Sequence, residues 1–361
     1  MQHSCSLAPV TVTEKVLSGP CDNSPWRVGQ TGQGSGFGKV ILFNEHFVVH
    51  GVPGIVSAID STAHAYAEAR KTGDGITVRD ERKGAEGYTE QKKLQQQDSL
   101  GRMLKAMGLS REEVSLEIRL GGTLPGFSGI GASAASSVAI ARAVAEELKL
   151  DLSDEKINDV AYEAEKAYAG TPSGIDNTAA TYGGLIWFKK ALGGGANTIE
   201  RLSVTEPVEI VIGNTGTVAD TKAMVAGVAA RKKTNPAQYD RLCQQAEGLA
   251  IKARRALEDF DLRQVGELMN ENHSQLKEIH VSSKELDYLV DLAREHGAFG
   301  AKLTGGGGGG CVVALTPGKT LQEDVAAAIE REGFQALRTK IGRRKSEEKP
   351  VPAEGRKKIG F

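Results

Sequence analysis

The chain has 361 residues, 45 Lys and Arg against 46 Asp and Glu, and 40% hydrophobic residues. That length suits one large domain or two smaller ones, each with its own core. A formal charge of -1 argues against nucleic acid as the main partner, since phosphate binding favours a basic excess, and no run of ~18 apolar residues marks a membrane span.

Residues 1–33 are rich in Ser, Pro, Gly and Gln and read as a poorly ordered extension. Gly34-Ser-Gly-Phe-Gly-Lys39 reads as a glycine-rich turn. The apolar Val40–Phe43 and Val48-Val49 flank a polar Asn44-Glu45-His46, and Phe47–Val49 is strand-like. Ile55–Arg70 reads as a strand, and 79–97, charged and Gln-rich, as a loop entering a helix near Leu100. Val114–Leu120 alternates strictly, the pattern of a half-buried strand. A second glycine turn, Gly126–Ser133, leads into a helix over Ser133–Leu148 with Val138, Ala141, Val144, Ala145 and Leu148 at helical spacing. Ser153 is an N-cap for a helix ending near Tyr168. Leu185–Phe188 and Glu209–Ile212 read as strands, and 219–231, 236–258 and 261–294 as three helices. Gly297–Leu315 returns to glycine turn and strand. Arg343–Lys358 reads as a solvated, charged tail. Strands come first, with helices inserted and more helices after. Regular βαβα alternation is missing, so the fold class is α+β.

Four cysteines, Cys5, Cys21, Cys243 and Cys311, form no Cys-x-x-Cys pair, which predicts free thiols in a reducing compartment. No basic start with an apolar stretch opens the chain, so no secretory leader is expected and the placement is cytoplasmic.

Three constellations carry chemistry. Gly305 to Gly310 is an unbroken glycine run between apolar segments, followed by Cys311. A linker would mix Gly with Ser among polar residues, so this run predicts a tight turn that another group approaches closely. The turn before Ser133 opens a helix with small residues, Ala132 to Ala135. A helix N-terminus exposes unpaired N–H groups and the positive end of its dipole, and the Ser133 hydroxyl can reach a phosphate or a bound Mg2+. It is not a Walker A loop, because no Gly-Lys-Ser/Thr ends it. Lys39, beside the first glycine turn, can supply a point charge to a phosphate or a carboxylate. In the third constellation, Gly170-Thr-Pro-Ser-Gly-Ile-Asp-Asn177, Pro172 and two glycines fix a tight loop. Asp176 follows as either a general base or an Asx turn. Glu163 and Glu165 are two apart on the preceding helix, so at most one faces a shared cleft. His46 and His50 have the spacing of a metal pair on a helix, but strand-like neighbours and the lack of a third ligand count against zinc. No Gly-x-Ser-x-Gly elbow supports an esterase.

Lys39–Gly51, Pro125–Ala135 and Lys302–Cys311 together resemble the three signature motifs of the GHMP kinases. Within them, Glu45–Gly51, Gly170–Thr178 and Asn214–Val225 are most similar to the mevalonate kinases. The motifs run in family order from about Gly36 to Leu315. The resemblance implies an N-terminal domain like ribosomal protein S5 domain 2 over 34–200 and a C-terminal α/β sandwich domain over 201–340. An extension (1–33) and a tail (341–361) would flank them. It implies ATP-dependent phosphorylation of mevalonate to 5-phosphomevalonate in isoprenoid biosynthesis, with ATP as co-substrate and Mg2+ as cofactor. Pro125, Gly126, Ser128, Gly129, Ile130, Gly131, Ala132 and Ser133 would cradle ATP. Ser133 and Glu165 would hold Mg2+, Glu165 being selected over Glu163 by its family spacing of eleven residues to Asp176. Asp176 would orient or deprotonate the acceptor hydroxyl, with Lys39 beside it steadying the transferring phosphoryl group. Glu45, His46, Thr221, Gly306 and Gly307 would lie near the acceptor. Asn44 and Ala169 depart from the family pattern, and both are expected to flank the acceptor pocket. Other GHMP acceptors (phosphomevalonate, a sugar, homoserine) and a silent metabolite sensor are the alternatives. The oligomeric state is open, with a homodimer among the options.

Overall fold

The computed structural model describes residues 31–342, apart from 72, 74, 83–89, 127, 128 and 218–220. The N-terminal half contains β1 (Gly32–Phe43), β2 (Gly54–Ala69), β3 (Ile76–Asp80), α1 (Glu90–Ala106), β4 (Leu116–Gly122), α2 (Ala132–Glu147), α3 (Asp154–Ala169), α4 (Ile175–Tyr182), β5 (Leu185–Lys189) and β6 (Thr198–Leu202). The C-terminal half contains β7 (Val208–Asn214), α5 (Thr221–Thr234), α6 (Pro236–Glu258), α7 (Leu262–Glu278), α8 (Lys284–Glu295), β8 (Gly300–Thr304), β9 (Cys311–Leu315), α9 (Lys319–Arg331) and β10 (Gln335–Ile341). Among the described residues no helix is long and apolar enough to cross a membrane.

β1 and β2 form a long antiparallel pair, from Gly32 opposite Ala67 to Phe43 opposite Ile55. β2 also pairs with β5 near its start and with β4 near its end, and β3 joins β4 in parallel. The C-terminal strands run β10-β7-β9-β8, all antiparallel. Among the described residues a single pairing, Ile341 with Ile59, joins the two sheets.

Gly34–Lys39 is strand, not the expected turn. Gly32, Gly34 and Gly36 share one face of β1, and α2 lies directly on that face. A Cβ at these positions would come within 2.2 Å of the carbonyl oxygens of Ala143, Ala139 and Ala135 respectively. Those alanines are four apart and so line one side of α2. Glycine at period two thus meets alanine at period four, and helix and strand touch backbone to backbone.

Other expectations need correction. α1 begins at Glu90, about ten residues before the expected start near Leu100; of 79–97, residues 83–89 lie outside the described residues. Phe47–Val49 is not strand: Val48–His50 is a short 3-10 turn, because Asn44 and His46 turn the chain with φ of 71° and 64°. The expected helix over 261–294 is two helices, with α8 capped anew by Ser283, whose hydroxyl accepts from Leu286 N. β3, α4, β6, α9 and β10 lie outside the predicted elements. Ser153 caps α3 by accepting from Lys156 N, as its sequence position predicts. Cys243 and Cys311 form no disulfide among the described residues; Cys5, Cys21 and the segments 1–30 and 343–361 lie outside the described residues.

Candidate active site

A cleft of about 750 Å³ runs between the end of β1, the start of α2, α3, the loop before α4, α5 and the glycine run. Lys39 enters it from β1 and is 1% exposed. Its stem passes over Gly131, where a Cβ would lie 2.7 Å from Lys39 Cγ, so only glycine leaves room. Lys39 Nζ lies 3.1 Å from Asp176 Oδ1 and donates to Gly129 O at 3.4 Å. Lys39 N donates to Ile130 O, which ties the strand to the turn before α2. Asp176 stands in the first turn of α4, behind the left-handed cap Gly174.

Gly131 caps α2 with φ 71° and no side-chain bond, so the first turn of the helix presents its N–H groups to the cleft. Gly129, Gly131, Ala132 and Ser133 line the wall there. Ser133 Oγ donates to Glu165 Oε2 at 3.1 Å. Glu165 is buried and its Oε1 has no partner among the described residues. Burial first, and the Asp176 charge second, push its carboxyl up to about 8, against the opposing pull of Ser133 and Lys39. Glu163, two residues away on the other face of α3, pairs instead with Lys166 at 2.6 Å.

At the far end of β1, Glu45 and His46 line the cleft. Glu45 is buried against Lys302 of β8 at 2.6 Å, and burial raises its carboxyl. His46 Nε2 lies 2.9 Å from Gly306 O, to which it can only donate. Burial lowers the ring to about 4, so the imidazole is neutral at physiological pH and Nδ1 is left as an acceptor, buried and without a partner among the described residues. His46 is therefore committed to the glycine loop, and among the described residues no group of three His, Cys, Asp or Glu could hold a metal ion.

The glycine run packs against several neighbours. A Cβ on Gly305 would lie 2.8 Å from Gly129 Cα, and one on Gly306 would lie 2.4 Å from Thr221 Oγ1. Gly305, Gly306 and Thr221 line the cleft. Gly307 does not: it backs onto Val281 O, 2.1 Å from where its Cβ would be.

Three further expected groups stand elsewhere. Pro125 lines a separate small hollow with Gln335 and Leu337. Ile130 is core. Neither they nor Gly126 line the cleft, and Ser128 lies outside the described residues.

Asn44 also departs from expectation. It is fully buried behind the cleft wall, where its Nδ2 donates to Pro53 O and Ala246 O and its side chain and N–H exchange bonds with Asn272. It clasps β1 to α6 and α7. Ala169 does line the cleft. Sequence reasoning also missed the α1 wall, where Lys92, Gln95, Ser99 and Met103, with Arg82 ahead of the helix, extend the cleft that Ser136 and Ile140 also line. The Gln-rich composition of that stretch was the only signal.

The model of the GHMP kinase N-terminal domain matches residues 98–184, and that of the GHMP kinase C-terminal region matches 253–335. The first spans α2 to α4 and the second β8 and β9, so both sides of the cleft carry the family pattern, and the fold is that of a GHMP small-molecule kinase. The mevalonate kinase of Pyrococcus abyssi (strain GE5 / Orsay) is 35% identical over 323 residues, 84% of this chain and 94% of its own length. That of Methanothermobacter thermautotrophicus is 32% identical over 84% of this chain and 95% of its own. The crystal structure of L. major mevalonate kinase in complex with R-mevalonate superposes with a TM-score of 0.81 at 37% identity, covering 86% of this chain and 96% of that one. The chain belongs to the mevalonate kinase family of the GHMP kinase superfamily.

Proposed function

We propose that this chain transfers the γ-phosphoryl group of ATP to the primary hydroxyl of mevalonate, giving 5-phosphomevalonate and ADP. What carries this is the Lys39–Asp176 pair at 3.1 Å, beside the open N-terminus of α2 in one cleft. The choice of acceptor is supported by the likeness to the L. major enzyme in complex with R-mevalonate.

The ATP phosphates suit the α2 end, where backbone donors and the helix dipole favour anions. Phosphoryl transfer then needs positioning and charge neutralisation more than covalent chemistry. Asp176 takes the proton of the acceptor hydroxyl as its oxygen bonds to the γ-phosphorus. The bond from that phosphorus to the β–γ bridging oxygen breaks, and its electron pair leaves with ADP. Lys39, between Asp176 and the Gly129 turn, brings its charge to the oxygens in transfer. Glu45, His46, Thr221 and Gly306 form the acceptor end.

Mg2+ fits the Ser133–Glu165 pair. The cation takes one or two carboxylates and fills its remaining positions with phosphate and water, and Glu165 Oε1 is buried with no partner among the described residues. When bound it would neutralise phosphate charge. A ligating carboxylate must be ionised, so binding at Glu165 displaces a proton.

The test is ADP release with ATP and Mg2+ across mevalonate, phosphomevalonate, homoserine and galactose. Mevalonate is expected to give the highest kcat/KM. Another alcohol used at least as efficiently would overturn the acceptor assignment, and no ADP from any of them would overturn phosphoryl transfer.

A further inference from the structure

Lys302, in the middle of β8, is 0% exposed. A buried ammonium is costly unless every donor is met. Here Nζ donates to Glu45 Oε1 at 2.6 Å, Leu303 O at 2.6 Å and Ile41 O at 3.3 Å, which uses all three N–H bonds. Two of these partners belong to β1 or the residues just after it, on the other sheet. β1 is irregular at this point, with a register shift between Ile41 and Phe43. Thr304 of β8 completes the repair, its Oγ1 accepting from Ile41 N at 2.9 Å.

The effect on Glu45 is asymmetric. Oε1 is locked by Lys302, whereas Oε2 is buried with no partner among the described residues, and Glu45 lines the cleft. Its backbone is held on both sides, by the Asn44 clasp and by the His46 bond to Gly306. Stability alone does not call for such an arrangement, because well-packed apolar residues commonly replace a buried ion pair without loss. A carboxylate with one oxygen fixed and the other unpaired suits the orientation of a ligand's donor group.

We propose that Lys302 is a positioning residue for the acceptor: by fixing Oε1 it presents Glu45 Oε2 as an acceptor-only group for a hydroxyl of the acceptor other than the one phosphorylated. This rests on the assignment of the Glu45 end of the cleft to the acceptor. Lys302 then governs binding of the alcohol and leaves binding of the nucleotide, at α2, unchanged.

The experiment compares the wild type with Lys302→Met, Glu45→Gln and the double variant, measuring KM for mevalonate, KM for ATP and Tm. Lys302→Met is expected to raise KM for mevalonate by at least ~10-fold, with KM for ATP within ~2-fold. Glu45→Gln should raise KM for mevalonate as well. The double variant should match Glu45→Gln in its KM for mevalonate, because the lysine acts only through that carboxylate; Lys302→Gln carries the test if Lys302→Met does not fold, with the same split between the two KM values expected. A Lys302→Met protein with only a lower Tm, or with both KM values moved alike, would overturn the proposal. So would a double variant with wild-type KM. Glu45→Gln with an unchanged mevalonate KM would instead show that the acceptor end of the cleft is wrongly assigned. A Glu45 effect with none from Lys302 overturns only the role of the lysine.

Discussion

Glu165→Gln is expected to make the cation-free protein more stable at alkaline pH while removing its activity. Glu165 is 5% exposed, accepts one bond from Ser133 and has no partner for Oε1 among the described residues. Burial and then the Asp176 charge push its carboxyl from 4.5 up to about 8. A folded-state value above the unfolded one means that the folded chain holds the proton more tightly. The stability this contributes is fully present below about 4.5 and is lost as pH rises through about 8. Between those values, at about 1.4 kcal/mol per pH unit, the ceiling is about 5 kcal/mol. Gln keeps the volume and a carbonyl oxygen for Ser133 and never ionises. Relative to wild type the variant should gain roughly 2 kcal/mol or more at pH 8.5 and about nothing at pH 4.5. Urea unfolding in chelator at several pH values measures this, alongside turnover at saturating Mg2+. A stability difference that does not change with pH, or a less stable variant at pH 8.5, would refute the reasoning. Retained turnover would refute the role of Glu165 at the cation. Glu163→Gln, at the half-exposed Lys166 pair, should show neither effect.

Asp176→Asn should lower kcat by ~10² or more while nucleotide binding, followed by calorimetry, survives; near-normal kcat in the folded variant removes Asp176 from the chemistry. Gly36→Val would drive a side chain into Ala135 O, 2.2 Å from the Cβ position. It should cost ~3 kcal/mol or more by chemical denaturation, and a neutral effect would show that α2 does not sit on the glycine face. Asn44→Gly suits the φ of 71° but strips the clasp to Pro53, Ala246 and Asn272. A loss of about 2–4 kcal/mol in stability is expected by chemical denaturation; unchanged stability together with an altered KM for the acceptor would return Asn44 to the acceptor pocket.

Much of the site was legible along the chain because its spacing is local. Glu165 and Glu163 diverge because they are two apart on one helix, and the Ser133 turn announces itself by small residues at a helix start. The glycines of β1 were misread because composition does not separate a glycine that turns from one that admits a neighbour. What distinguishes them is α2, whose Ala135, Ala139 and Ala143 arrive about a hundred residues later. Asn44 looked like a pocket residue for the same reason, its partners lying 202 and 228 residues away.

By itself, then, the sequence determined the order of most strands and helices, the Ser153 cap and the glycine-lined turn into α2. These depend on side-chain period and on hydrogen bonds within a few residues. Tertiary structure alone decided which glycines pack, where β10 inserts, and that Lys302 reaches Glu45 across 257 residues. A lysine flanked by Ala301 and Leu303 carries no local mark of burial. Its ammonium is tolerable there only because the fold brings the Glu45 carboxylate and the Ile41 carbonyl to it, beside the carbonyl of its own neighbour Leu303.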